Sequence, residues 1–405
     1  MTSRGAQPVR LRRVLSLPWL VFYGVGVTVG AGIFALVGQV VGLAGDHAPV
    51  AFVISGLVAG FTGFSYAALA GAYPRAAGEA LFVKMATGET LGRIVGLGIV
   101  AVAITSCGVI SLAFAGYVGS IAAIPEQASL IAILLALAAI AWSGVKESVV
   151  FAGLITFLEV GTLLAVVAAG LPLVLDGGTL ARVWSLPTEA PVWAGVISGA
   201  FVAFFAFIGF EDIENMAEET NDPHRNIPRA ILLTLVVSVA IYALVATVAA
   251  AFPDRDAIAG SKAPLALLFE RATGIPGTAI AIMASVAMIN GILVQIVMAS
   301  RVLYGMAREG LLPAAIGVLD ANRQTPLRAI ILVAAAAGLL ALTVPLLQLA
   351  EITSLVMLLV FALVNASLFI LGSREAAMPV LRRWRWCGAA GALVSLGLVA
   401  AELLA

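Results

Sequence analysis

The stretch Phe204–Arg229 reads FFAFIGFEDIENMAEETNDPHRNIPR. It opens as a membrane span and closes as polar chain, with no turn signal between. The apolar run behind it starts near Pro191, and a helical pattern continues past the acids. Ile213, Met216 and Ala217 share one face, and Asp212, Asn215 and Glu219 another. Asn221-Asp222-Pro223 then stops the helix. A helix from Pro191 to Thr220 would be roughly 45 Å long, against a hydrocarbon core of about 30 Å. Such a helix overhangs, tilts steeply or breaks. Ile208-Gly209-Phe210 is the place to break, because Gly is a poor helix-interior residue with access to unusual backbone angles. The alternative is a straight span with Glu211 and Asp212 at the water boundary.

Composition says what kind of solvent this stretch meets. The chain is 62% hydrophobic and 11% charged, whereas a soluble domain averages about 25% charged. Its mean hydropathy is +1.11. It reads as an all-α polytopic membrane protein whose partner is the lipid bilayer. A net charge of zero gives no basic balance for nucleic acid. Cys107 and Cys387 lie in or beside apolar spans and make no disulfide framework or zinc site. His47 and His224 both fall in loops, so no His-held metal or haem, and no other cofactor, is expected. Arg10, Arg12 and Arg13 ahead of an apolar run imitate a signal peptide. The run from Pro18 to Leu43 is too long for one, and reads as a first transmembrane helix that stays.

Eleven spans are expected, near 18–43, 49–73, 92–119, 128–144, 149–174, 191–216, 229–251, 276–304, 327–345, 350–371 and 386–404. Pro, Gly and charged residues punctuate them. With the N-terminus inside and strict alternation, only Arg182, Arg255, Lys262 and Arg271 fall outside, and the other 18 of the 22 Lys and Arg fall inside. That bias is a strong positive-inside signal. It places the N-terminus in the cytoplasm of a cell membrane and the C-terminus outside.

The first span shares the oddity of the sixth. Pro18–Leu43 would make a helix of roughly 39 Å, with Gly30-Ala31-Gly32 near its middle. Two over-long, Gly-interrupted spans lie five spans apart, as two five-helix sets related by inversion would place them. One transporter domain, 1–405, then divides into a first repeat at 18–174, a second at 191–371 and an additional helix at 386–404. Breaks at matching positions point to a substrate site near the bilayer midplane. Broken helices offer free N–H groups at one half-helix start and free C=O groups at another half-helix end. The first attract a carboxylate and the second an ammonium group or cation, and a zwitterionic amino acid carries both charges. The alternative for Gly30 and Gly32 is close helix packing, of which Gly26-x-x-x-Gly30 is an ordinary instance.

Three motifs then resemble the amino acid–polyamine–organocation transporters. Val29-Gly30-Ala31-Gly32-Ile33-Phe34 is similar to their first-helix signature. Phe207-Ile208-Gly209-Phe210-Glu211, with Ala217-Glu218-Glu219 and the loop from Asn221 to Pro228, is similar to their sixth helix and its exit. The run from Ser300 to Pro313, with Thr325-Pro326, is similar to the end of their eighth helix and the loop after it. The resemblance covers most of the chain and is specific for family but not for substrate. It implies a leucine-transporter-type 5+5 inverted repeat with helices 1 and 6 broken, where many members carry twelve spans. It implies that the amides around Ala31, Gly32 and Ile33 take the substrate carboxylate. The carbonyls of Thr28, Phe205 and Ile208 would take the α-amine, with Gly30, Gly209 and Phe210 completing the breaks. Glu211 sits where relatives carry a gating or proton-linked acid.

Glu159 departs from that pattern, since some proton-coupled relatives have a lysine at about this place. It is the single ionisable residue of the fifth span, and a mid-depth acid costs roughly 2.5–3.5 kcal/mol on insertion scales. It reads as a proton site, as a counter-charge for a cationic substrate, or as a packing acid bonded to a neighbouring helix. Thr105, Ser106, Ser111, Asn290 and Gln295 either face a cavity or bond a neighbouring helix. Phe204, Phe205, Phe207 and Phe210 suggest an apolar or aromatic-tolerant pocket.

The expected function is secondary transport of a small-molecule substrate, an amino acid or amine, by proton-coupled symport or exchange, with H+ favoured over Na+. A sensor that binds without transporting is the alternative on the same fold. An enzyme reading finds no metalloprotease helix motif and no nucleophile elbow, and ATP-driven transport finds no P-loop.

Overall fold

The structure, a computed structural model, describes residues 13, 15–74, 78–144, 149–217 and 219–404, with the backbone alone at 149–152. Arg4, Arg10, Arg12, Arg75, Lys146 and Glu218, which entered the charge count or the motifs above, lie outside the described residues. Among the described residues there is no β-sheet, because a chain this apolar satisfies its backbone polar groups in lipid by coiling on itself.

In order, the helices are α1 (Leu17–Val29), α2 (Ala31–Ala44), α3 (Ala48–Ala72), α4 (Gly78–Thr87), α5 (Glu89–Ile121), α6 (Glu126–Ser143), α7 (Val149–Leu175), α8 (Thr179–Val183) and α9 (Ala190–Ala203). Two 3₁₀ segments follow, Phe204–Phe207 and Phe210–Met216. The chain then runs through α10 (Pro223–Ala251), α11 (Arg255–Gly260), α12 (Pro264–Thr273), α13 (Thr278–Arg308), α14 (Leu327–Thr343), α15 (Leu346–Ser373) and α16 (Pro379–Leu404).

Nine segments among the described residues are helical, long and apolar enough to cross a membrane. Two shorter apolar helices, Leu17–Val29 and Leu327–Thr343, join them. This differs from the eleven spans read from sequence for two local reasons, one of which is that the expected span 327–345 forms only the 17-residue helix Leu327–Thr343. The break at Gly30 cuts the first expected span in two, and its second half runs on through a single 3₁₀ turn at Gly45–His47 into α3. The chain is a multi-pass membrane protein built from helices.

Both expected interruptions occur. At Gly30 the backbone takes φ −39°, ψ −137°, which ends α1 and restarts the chain as α2. After α9 the sixth span tightens into 3₁₀ geometry, opens to extended backbone at Ile208 (φ −63°, ψ 131°) and passes through Gly209 at φ 124°. That φ lies where a Cβ is strongly disfavoured, so only Gly takes this turn without strain.

The interrupted segments sit inside the bundle. α1 packs on α7 and α10, α2 on α9, α10 on α3, and α13 on α5. Short helices and loops close one end through ion pairs: Asp46 bonds both Arg182 and Arg255, Lys262 bonds Glu126, and Arg271 bonds Asp254 at 2.8 Å. Beside α1, the N-H of Leu15 donates to the carbonyl of Glu219 at 3.0 Å, and the N-H of Asn221 donates to Leu15 at 2.9 Å. This single parallel bridge ties the entry to α1 to the exit from the sixth span.

Candidate substrate site

The two breaks touch. Gly32, in the first turn of α2, lies so close to the 3₁₀ segment that an added Cβ would stand 2.7 Å from the Cα of Ala206. Gly209 lies against α1, where a Cβ would stand 2.9 Å from the carbonyl oxygen of Val27. Both contacts are backbone to backbone, so glycine here serves close approach as well as the turn.

Tyr242 of α10 straps the breaks together. Its hydroxyl lies 2.6 Å from the carbonyl of Thr28 and 2.6 Å from that of Ala206, and the one phenolic proton serves both acceptors. The ring is fully buried, edge-on to Phe207 with centroids 5.0 Å apart and tilted on Phe52 at 5.8 Å. Nothing in the sequence singled this residue out. A lone Tyr in an apolar span was the available signal, because a buried phenol needs a polar partner.

A cavity of about 60 Å³ opens where the breaks meet α5, α7 and α13. Gly26 to Thr28 and Gly30 to Gly32 line it from the first span, Phe205 and Ile208 from the sixth, Glu159 from α7, Ser106 from α5, and Asn290 and Gln295 from α13. The first residues of α2, Ala31 and Gly32, line this space, and Gly30 gives the helix no side-chain cap. Among the described residues, four polar side-chain atoms of the lining are buried without a hydrogen-bond partner: Thr28 Oγ1, both Glu159 carboxylate oxygens and Gln295 Oε1. Buried polar atoms are rarely left unpaired, and three side chains from α1, α7 and α13 bring four of them to the lining of one cavity.

The expected site residues therefore divide. Thr28, Gly30, Ala31, Gly32, Phe205, Ile208 and Glu159 come together on the lining, whereas Ile33, Gly209, Phe210 and Glu211 stand behind it. Of the carbonyls assigned to an amine, that of Thr28 meets Tyr242, and that of Phe205 accepts from the N–H of Ile208 at 3.2 Å. No hydrogen bond engages the carbonyl of Ile208 among the described residues. Ser106, Asn290 and Gln295 face the cavity, but Thr105 bonds Thr353 at 2.7 Å and Ser111 bonds the carbonyl of Cys107 at 2.7 Å. Of the four phenylalanines, only Phe205 reaches the wall. Phe204, Phe207 and Phe210 pack edge-on against Phe361, Tyr242 and Tyr66 respectively.

Glu211 acts on the backbone in this structure. Its Oε2 accepts the N–H of Gly209 at 2.9 Å, which fixes the residue at the left-handed turn. Beyond it, Tyr66 donates to Glu79 Oε1 at 3.0 Å. Burial raises the Glu79 carboxyl, on the short α4 outside the spans, above its ordinary range. Glu214, also buried, has neither carboxylate oxygen bonded among the described residues. Sequence reasoning passed over both Glu79 and Glu214, since in one dimension they look like solvated loop acids.

Comparison with known proteins gives the family. The profile of the amino acid permease family matches residues 14–404. An uncharacterized transporter of Mycobacterium tuberculosis (strain ATCC 25618 / H37Rv) is 32% identical over 378 residues, covering 91% of this chain and 82% of that protein. The branched-chain amino acid permease BcaP of Bacillus subtilis (strain 168) is 26% identical over 392 residues, covering 91% of this chain and 83% of that protein. The vacuolar cationic amino acid transporter 2 of Arabidopsis thaliana is 30% identical over 403 residues, covering 91% of this chain and 61% of that protein. All are transporters or permeases and none is an enzyme.

Proposed function

As this chain belongs to the amino acid permease family, we propose that it carries an amino acid or a related small amine across the cell membrane by alternating access, bound where the two helix breaks meet. The observation that carries this reading is the cavity itself. It joins the uncapped start of α2, the carbonyl end of α1 and the extended backbone at Ile208 in one small space. A carboxylate is attracted to the first of these and an ammonium to the others. On this reading the chain is a 5+5 inverted repeat, with 18–174 and 191–371 as its halves and 386–404 as an additional helix, and the bias of Lys and Arg supports an N-terminus in the cytoplasm.

Glu159 is the coupling residue in this proposal. It is 2% exposed, lies on the cavity wall, and neither of its oxygens has a partner among the described residues. A packing acid would bond a neighbouring helix, and this one does not. An unpaired buried carboxylate is costly, so the group holds a proton or awaits a cation. Proton coupling, by symport or exchange, follows more readily than sodium coupling from such a lone acid. Glu211 serves as the hinge-holding acid of the sixth span and not as a ligand group. The relatives' names span branched-chain and cationic substrates, so the side-chain preference is left to experiment.

Counterflow tests the proposal. Proteoliposomes preloaded with one unlabelled amino acid at a time should accumulate its labelled form for at least one of the twenty or for a small amine. Ligand-dependent thermal stabilisation without counterflow for any compound would replace transport with sensing. Neither stabilisation nor counterflow across the whole panel would remove the site.

A further inference from the structure

A second groove lies between the ends of α3, α10 and α16. It has a volume of about 790 Å³, with Phe64 and Trp384 on its walls and His224, Arg225, Arg229 and Arg383 around it. The two aromatic rings stack at 5.5 Å with planes 19° apart. No acidic side chain lines the groove.

The cations here differ from those at the opposite end. Arg182, Arg255, Lys262 and Arg271, the four assigned outside by charge bias, are each ion-paired within the protein. Arg225, Arg229 and Arg383 are exposed and pair with no carboxylate among the described residues. The Arg383 guanidinium sits 5.5 Å from the Trp384 ring centroid, and His224 Nδ1 lies 2.8 Å from the carbonyl of Gly71, so its ring is held. Three unneutralised guanidiniums therefore converge on an apolar, aromatic-walled groove at one end of a membrane protein.

We propose that this groove binds an anionic phospholipid, its phosphate held by Arg225, Arg229 and Arg383 and an acyl chain laid along Phe64 and Trp384. Guanidinium forks match phosphate oxygens in pairs. Trp at a span end sits at headgroup depth, and basic pockets between helices at the cytoplasmic surface suit such headgroups. The missing negative charge comes from the ligand, which explains why the chain supplies none. The assignment of a leaflet rests on the proposed orientation, but the site does not.

The test uses the full chain in detergent, titrated with phosphatidylglycerol or phosphatidylcholine and followed by native mass spectrometry and thermal melting. Wild type should retain phosphatidylglycerol over phosphatidylcholine and melt at a higher temperature with it. The triple variant R225Q/R229Q/R383Q should lose about tenfold or more in apparent affinity for phosphatidylglycerol, and the single variant Arg383→Gln a smaller part of it. Arg308→Gln, outside the groove, should match wild type. An unchanged lipid preference in the triple variant would overturn the proposal, as would an equal loss in Arg308→Gln. Stabilisation by soluble glycerol 3-phosphate equal to that by the lipid would also overturn it, since the acyl chain would then be irrelevant. If the triple variant does not fold, the single variant and the soluble phosphate arm decide.

Discussion

Gly32 and Ala206 are 174 positions apart in the chain, yet a methyl group on Gly32 would stand 2.7 Å from the Ala206 Cα. The start of α2 and the 3₁₀ turn of the sixth span thus meet as bare backbone. This contact sets the distance between the proposed carboxylate-binding amides and the proposed amine-binding carbonyls. Both predictions on glycine follow from it and from its counterpart at Gly209.

Gly32→Ala forces that contact apart, because the neighbouring Ala206 Cα is backbone and cannot swing away. Overpacking of this kind costs about 1–3 kcal/mol. Labelled-substrate uptake is expected to fall roughly tenfold or more, since 1.4 kcal/mol is a factor of about ten. Gly60→Ala, where an added Cβ meets nothing within 4 Å, is the matched control and should transport normally. Equal uptake in the two variants would make Gly32 a mere packing residue.

Gly209→Ala combines two penalties. Its φ of 124° disfavours any Cβ, and the Val27 carbonyl would be 2.9 Å away. Backbone strain of this type costs on the order of 1–3 kcal/mol. Gly178→Ala has a comparable φ of 92° but open space around it. Melting temperatures of the two variants separate strain from crowding, and Gly209→Ala should melt lower. A Gly209→Ala protein as stable as wild type would mean that the turn can relax.

Tyr242→Phe keeps the ring that packs on Phe52 and Phe207 and deletes only the hydroxyl. The carbonyls of Thr28 and Ala206 then lose their shared donor, at about 1–3 kcal/mol for buried groups left unbonded. Uptake should fall while the protein remains folded and monodisperse. Wild-type uptake with wild-type thermal stability would show that the strap across the breaks has no part in transport.

Glu159→Gln keeps the shape of the side chain and removes its titration. If Glu159 carries the coupled proton, uptake driven by a pH gradient should drop sharply while equilibrium counterflow survives. If it is a counter-charge, binding of lysine, arginine and polyamines should weaken and neutral amino acids should be spared. Wild-type pH dependence together with wild-type selectivity would remove Glu159 from the mechanism.

Some of this was legible in one dimension. Hydropathy, the bias of Lys and Arg and the punctuation by Gly and Pro are sums over neighbouring residues, so the sequence alone determined a helical, multi-pass membrane protein. It also located both interruptions, because Gly30 and Gly209 act on their own φ and ψ. The partners of the breaks were decided by tertiary structure. Tyr242 reaches Thr28 across 214 positions and Ala206 across 36, and no local pattern encodes a hydrogen bond of that span. Likewise, Ser106 and Thr105 are neighbours of similar chemistry, yet one faces the cavity and the other bonds Thr353. A helix turns by about 100° per residue, so adjacent hydroxyls point to different surroundings, and only the packing of the surrounding helices fixes which surroundings those are.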